Sequence, residues 1–292
     1  MLLLPAACAD RDPPMPEFNQ DRAWSHLVAQ VSFGPRYPGS RGHAWQLAWL
    51  MEQLTFLADT VVQQKFTAAG EGGRRLELTN VVASFRPELR ERVLLVANLD
   101  TRRRADRSPE PLDRRLPVPG ANVNASGVAL LVELATMFWE QPPPVGIDLL
   151  LADGDDYSNE VQMAGTNHFV RSMPGYRPRY AVVVQAVADV EPRFPVDTSA
   201  APARRLWAVA RRLRQDSLFA ARAESGAAAD QGAVLEAAGI PTLVVADREY
   251  GPLNLRWHSK DDMPQFLSAA TLARTGHTLA ALLYTETPAE AR

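Results

Sequence analysis

Arg92-Val-Leu-Leu-Val-Ala-Asn-Leu-Asp100 sets a nearly continuous apolar run against a polar pair, Asn98 and Asp100. A half-buried strand alternates apolar and polar residues. A run that is apolar on both faces reads as a strand covered on both sides, the habit of parallel sheets. The same pattern recurs at Gly146–Ala152, which ends in Asp153-Gly-Asp-Asp156, and again over 180–187 and 241–246. Two more strands fit around these. Residues 78–85 carry β-branched residues beside Asn80, and 60–66 reads as an edge strand.

Between the strands the period turns helical. Residues 20–31, 42–57, 127–139, 203–214, 230–238 and 268–284 read as helices. In the second of these, Trp45, Leu47, Leu50, Met51 and Leu54 form the expected buried stripe. Residues 101–119, rich in Arg, Asp and Pro, read as an exposed loop. Strands alternating with helices predict a three-layer α/β sandwich around a central, mainly parallel mixed sheet. Residues 17–292 are expected to form one domain, a common size for this architecture.

Composition narrows the function. The chain has 292 residues, 46% hydrophobic and 22% charged, with a formal net charge of −3. These are values of a soluble globular protein. The positive charge is almost all arginine, Lys65 and Lys260 being the only lysines. No basic block runs along the chain, so nucleic acid is not an expected partner. The one cysteine, Cys8, excludes an intrachain disulfide. Met1-Leu-Leu-Leu-Pro-Ala-Ala-Cys8 resembles the end of a bacterial lipoprotein signal, with the cysteine as the lipidated residue. Residues 1–16 are therefore set apart as leader and tether. The expected location is exported: periplasmic, or membrane-tethered through a lipid on Cys8. Beyond that leader, no apolar stretch is expected to cross a bilayer.

In α/β sheets, sites form beyond the carboxyl ends of the strands. Asn98-Leu-Asp100, Asp153-Gly-Asp-Asp156 and Trp257-His258 all fall there, and Gly120-Ala-Asn-Val-Asn124 opens the helix at 127. Taken singly, an Asp run is a turn former or a helix cap, and Asn122 and Asn124 before Ser126 look like capping residues. Taken together, carboxylates after one strand and a His after another can converge on a metal.

The ordered motifs carry a resemblance. Phe33-Gly-Pro-Arg-Tyr-Pro-Gly-Ser40, Ala97-Asn-Leu-Asp-Thr-Arg102, Gly120-Ala-Asn-Val-Asn-Ala-Ser-Gly127, Asp153-Gly-Asp-Asp-Tyr157 and Gly239-Ile-Pro241 with Trp257-His-Ser-Lys-Asp-Asp262 occur in this order. They resemble the GPR-x-PGS, AHWDTR, GANDGASG, DGEDY and GIP…WHTxxD motifs of the zinc aminopeptidase and glutaminyl cyclase family, from residue 33 to the last helix. The resemblance implies zinc at the sheet's C-terminal edge, held by an Asp, a second carboxylate and a His. A neighbouring Glu would act as general acid/base. Carried over, Asp156 and His258 are the retained metal ligands, and Asp155 stands at the acid/base position. Trp257 and Gln231 stand at substrate-binding positions; Gln231 lies in the segment Asp230-Gln-Gly232, where the family has DDH. Three positions depart from the pattern. The Asp ligand falls on Val123, the His of AHWD on Asn98, and an aspartate near Val184 on Gln185.

A catalytic zinc needs three protein ligands and an open position. At most one zinc is therefore expected, held by two ligands. Asp155 is one methylene shorter than the Glu it replaces, which sets its carboxylate about an ångström back. The resemblance thus implies a protein acting on peptide or protein N-termini, as cyclase or aminopeptidase, with activity impaired at Val123. The alternative is a non-catalytic relative in the cell envelope that binds a peptide or protein through the old cleft. A serine hydrolase is not supported, because no G-x-S-x-G elbow is present.

Overall fold

The computed structural model describes residues 14–222 and 230–288; the leader and Cys8 lie outside them. Arg92–Asn98 forms β3, buried almost throughout, between β4 (Gly146–Ala152) and β5 (Tyr180–Gln185). The six-stranded sheet runs β1 (Thr60–Ala69), β2 (Arg75–Phe85), β4, β3, β5, β8 (Thr242–Ala246). β4, β3, β5 and β8 are mutually parallel, whereas β1 and β2 pair antiparallel with each other and β2 pairs antiparallel with β4. The sheet is mixed with a parallel centre, as the apolar runs predict. β1 is an edge strand, as expected for 60–66, and its burial alternates accordingly.

Alternation along β3 sorts the layers. Val93, Leu95 and Ala97 join a large core with residues of α1 (Gln20–Ser32), α2 (Arg41–Leu57), α3 (Gly127–Glu140), α5 (Ala201–Arg212) and α7 (Ala269–Tyr284). Leu94 and Val96 face the other way, towards Phe169 of α4 (Ala164–Ser172) and Leu235 of α6 (Gln231–Ala237). Each such aliphatic side chain contributes about 1.5–3 kcal/mol by leaving water. A small parallel pair, β6 (Phe194–Asp197) and β7 (Phe219–Arg222), stands apart from the main sheet.

Several expectations are corrected. In α2 the buried stripe is His43, Gln46, Leu50 and Leu54, while Trp45 is 44% exposed under the Arg41 guanidinium. The helix is turned so that its polar His43 and Gln46 reach partners inside. Ala121–Glu140 is apolar and long enough to cross a membrane (mean hydropathy 1.3), yet 94% of it is buried in the fold. The carboxylate of Glu133 within it is bonded by Arg22 Nε and Nη2 at 2.6 and 2.8 Å. β5 ends at Gln185 because Ala186 takes a positive φ of 52°. Within 101–119, the residues Thr101, Arg102, Ala105, Ser108 and Val118 are buried, so the loop is partly internal.

Asp148 on β4 is the polar rivet of the amino-terminal end of the sheet. Its carboxylate accepts from Arg92 Nε and Nη2 (2.6 and 2.7 Å), Ser84 Oγ (2.5 Å) and Tyr176 Oη (2.7 Å), joining β2, β3 and β4. Removing one partner of a buried pair leaves the other charge uncompensated. Arg92→Met is therefore expected to lower unfolding free energy by about 3–5 kcal/mol in urea melts. Arg75→Ala, which breaks the exposed pair with Glu77, should stay within about 0.5 kcal/mol. Equal losses in the two variants would contradict this account of the sheet.

Candidate functional site

The carboxyl ends of β3 and β4 bring four carboxylates together under the surface. Asp100, Asp153, Asp155 and Asp156 are each 5% exposed or less. Asp100 Oδ1 accepts the backbone amides of Asp155 (3.1 Å) and Asp156 (3.3 Å), so the side chain ending one strand positions the loop leaving the next. Burial and repulsion from Asp153, Asp156 and Asp155 push the Asp100 carboxyl well above the carboxylate range. Asp153 is tied to His43 Nε2 at 2.9 Å and to the amide of Thr79 at 2.7 Å. No motif in the sequence marks His43, and Asp153 is marked only as part of the Asp153-Gly-Asp-Asp156 run.

Asp155 accepts from the Thr166 amide (3.0 Å), the Thr166 hydroxyl and Gln231 Nε2 (2.8 Å). Burial raises its pKa to about 6, and those donors hold it from rising further. Gln231 is itself buried, with its amide spent on Asp155. Gly165, which begins the turn under Thr166, admits no side chain: a Cβ would lie 2.5 Å from Asn80 Oδ1 and 2.6 Å from Asp153 N.

Asp156 and His258 meet, with Oδ1 and Nε2 3.1 Å apart, and Arg102 Nε lies 3.5 Å from the same oxygen. Burial alone would raise the Asp156 pKa. His258, Arg102 and the Asn124 amide outweigh it and hold the carboxyl below its usual value. Arg102 is fixed by Asp106 (2.8 Å) and Asn159 (2.7 Å). With Arg107, Gln162, Trp257 and His258 these residues line a cleft of about 430 Å³. Arg102 sits in the AHWDTR-like motif, which marked its position but not its use.

The helix-opening loop does not cap α3 through its asparagines, contrary to expectation. Asn122 Oδ1 accepts from the Ala188 amide at 3.0 Å, and Asn124 Nδ2 donates to the Asp100 carbonyl at 2.6 Å. Gln185 Nε2 reaches Asn124 Oδ1 at 3.4 Å. Both asparagines thus cross-link the strand-end loops. Val123 is wholly buried between them, and its amide donates to Asp262 Oδ2 at 3.0 Å. Asn98 is buried, with Oδ1 lacking a hydrogen-bond partner among the described residues.

A catalytic zinc does not fit this donor set. Two tetrahedral zinc ligands at about 2.0 Å stand roughly 3.3 Å apart, so the Asp156–His258 spacing is compatible with a shared ion. The resemblance puts the third ligand at Val123, whose side chain offers only carbon. Asn124 turns an N–H donor, not an acceptor, towards Asp156. Among the described residues, no three His, Cys, Asp or Glu side chains converge as a metal site.

Asp262 caps the same loop, accepting the amides of Asn122 (2.6 Å) and Val123 (3.0 Å). Burial raises its pKa to about 7, against opposition from those amides and Arg36. An unfolded Asp titrates at about 3.9. Between these values the folded chain keeps a proton that the unfolded chain has lost, so this group's contribution to stability falls as pH rises from about 4 to 7. Asp262→Asn mimics the protonated form. Its destabilisation in urea melts should therefore be smaller at pH 8 than at pH 5, and the reverse order would exclude this titration.

Comparison with known proteins agrees with the motif resemblance. The sequence profile of peptidase family M28 matches residues 80–283. No curated protein matches the chain. Among solved structures, a Zn-dependent exopeptidase from Parabacteroides distasonis is similar with a TM-score of 0.87 and 28% identity, over 94% of this chain and 100% of that one. Tannerella forsythia glutaminyl cyclase matches with a TM-score of 0.86 and 27% identity, over 93% and 100%. Bacteroides thetaiotaomicron glutaminyl cyclase bound to N-acetylhistamine matches with a TM-score of 0.87 and 27% identity, over 94% and 100%. With the profile running from β2 through α7 and these structures overlaid along nearly their whole length, the chain belongs to peptidase family M28.

Proposed function

We propose that this chain is a metal-free member of its family that holds a peptide N-terminus in the 430 Å³ cleft and performs neither cyclisation nor hydrolysis. The observation that carries the reading is Val123, wholly buried where the resemblance requires a carboxylate ligand. Around it the charge of Asp156 is already offset by His258, Arg102 and Asn124. Asp155 is engaged by three donors and leaves little freedom for proton shuttling. The half-buried Trp257 offers an aromatic wall, and the resemblance to cyclases and exopeptidases supplies the ligand class. An exported location, with the leader ending at Cys8, belongs to the same proposal.

A second reading is favoured by one feature. Asp156 Oδ2 is buried without a hydrogen-bond partner among the described residues, while Oδ1 lies 3.1 Å from His258 Nε2. The pair would suit a loosely held single metal and a residual cyclase or aminopeptidase activity.

Two experiments separate the readings. A short peptide with N-terminal Gln should bind the wild-type protein without turnover, and Trp257→Ala should weaken that binding at least about tenfold, since an aromatic wall buries a large apolar area. Steady release of pyroglutamate or of a free N-terminal residue would establish the second reading instead. In the other direction, Val123→Asp with Asn124→Gly should be less stable than wild type when metal-free, because it buries an unpaired carboxylate. Zinc should then raise its melting temperature. A double variant that gains no stability from zinc would show that Val123 is not the missing ligand position.

A further inference from the structure

The partly internal loop 101–119 carries a second recess that the cleft does not use. Arg103 and Arg104 on its outgoing arm and Arg114 and Arg115 on its returning arm face a cavity of about 500 Å³, completed by Tyr37 and Pro117. None of these residues lines the cleft beside His258. The two arms are pinned: Ala105 N donates to Leu116 O at 2.6 Å and Val118 N to Arg102 O at 3.1 Å. Arg103 N also donates to Tyr157 O at 3.1 Å.

Charge in the recess is unbalanced. Arg103 and Arg104 share one carboxylate, Glu71, at 3.1 and 3.7 Å. Arg114 donates Nε and Nη2 to the carbonyls of Ser108 (2.8 Å) and Pro109 (3.2 Å), which orient its guanidinium without neutralising it. Arg115 has no carboxylate within ion-pair range among the described residues. The nearby Asp113 is turned to Lys260 at 2.8 Å. Four cations therefore face one carboxylate, in a chain whose net charge is −3. An acidic molecule repels a long polyanion but can still seat a small one where its arginines gather.

We propose that this recess binds a dianionic phosphate group, free or as a monoester. A carboxylate brings one negative charge and two acceptor oxygens, and Glu71 spends its own on Arg103 and Arg104 of the outgoing arm alone. A phosphate monoester carries about two negative charges above pH ~6 and three acceptor oxygens, so it takes forks from both arms at once. The ring of the half-buried Tyr37 would lie against the organic part of an ester.

The test is calorimetric and thermal titration of the whole chain with phenyl phosphate and with inorganic phosphate. At least one should bind with Kd at or below about 1 mM at low salt. Tighter phenyl phosphate binding assigns an ester and equal binding assigns free phosphate; both uphold the site. Arg114→Gln with Arg115→Gln, both exposed residues, should weaken binding about tenfold or more. Glu71→Gln removes the competing carboxylate and should tighten it, an opposite sign that a misfolded variant would not produce. Affinity for phenyl phosphate should rise from pH 5 to pH 7, because the ester gains its second charge near pH 6 while the guanidiniums stay charged. No binding of either probe up to ~10 mM, or affinities indifferent to all three substitutions, would overturn the proposal.

Discussion

Four carboxylates buried at the ends of two neighbouring strands are the constraint around which the upper face of this fold is arranged. An isolated carboxylate costs several kcal/mol to bury, and here Asp100, Asp153, Asp155 and Asp156 crowd one another. A dication would be one way to hold such a cluster together. The chain shows another way. Asp153 is paired with His43, Asp155 is bonded by Thr166 and Gln231, and Asp156 faces His258 and Arg102. Asp100, whose carboxyl is pushed upward, receives the two amides that fix the loop carrying the others.

The departures from the family pattern form a consistent set under this view. By the resemblance, Val123, Asn98 and Gln185 stand where side chains able to ligate a cation are expected. Asn124 adds a donor beside Asp156, and Gln185 bonds that same asparagine. The bonds of Asn124 to Gln185 and to the Asp100 carbonyl tie the strand-end loops together. The frame beneath is unaffected, because Arg92 and Asp148 hold the opposite end of the sheet with partners of their own.

The central strands were legible in the sequence because a run buried on both faces has no reason to alternate; Gly146–Ala152 has the same bounds in both. The helices at 20–31 and 127–139 were legible from their period, to within a residue at each end. What was not legible depends on partners distant in the chain. Trp45 reads as core by its apolarity, yet α2 turns His43 and Gln46 inward because Asp153 and Gln30 meet them there. α4 escapes notice because Ala164–Ser172 is short and polar, and only Phe169 and its neighbours pack inward. β6 and β7 are four residues each and satisfy one another alone. At the site, the motifs placed Asp155, Asp156, Trp257 and His258, whereas Gln231 as a buttress of Asp155 and Arg102 as a neighbour of Asp156 emerge only from the geometry.

Zinc stoichiometry of the wild-type chain tests the central claim most directly. Elemental analysis of protein purified without chelators, followed by calorimetric titration of zinc into the metal-free form, measures it. A cluster balanced by its own donors should carry far less than one zinc per chain and show no saturable site in the micromolar range. One tightly held zinc per chain, lost on substituting Asp156 or His258, would contradict the account and restore the chemistry that Val123 argues against.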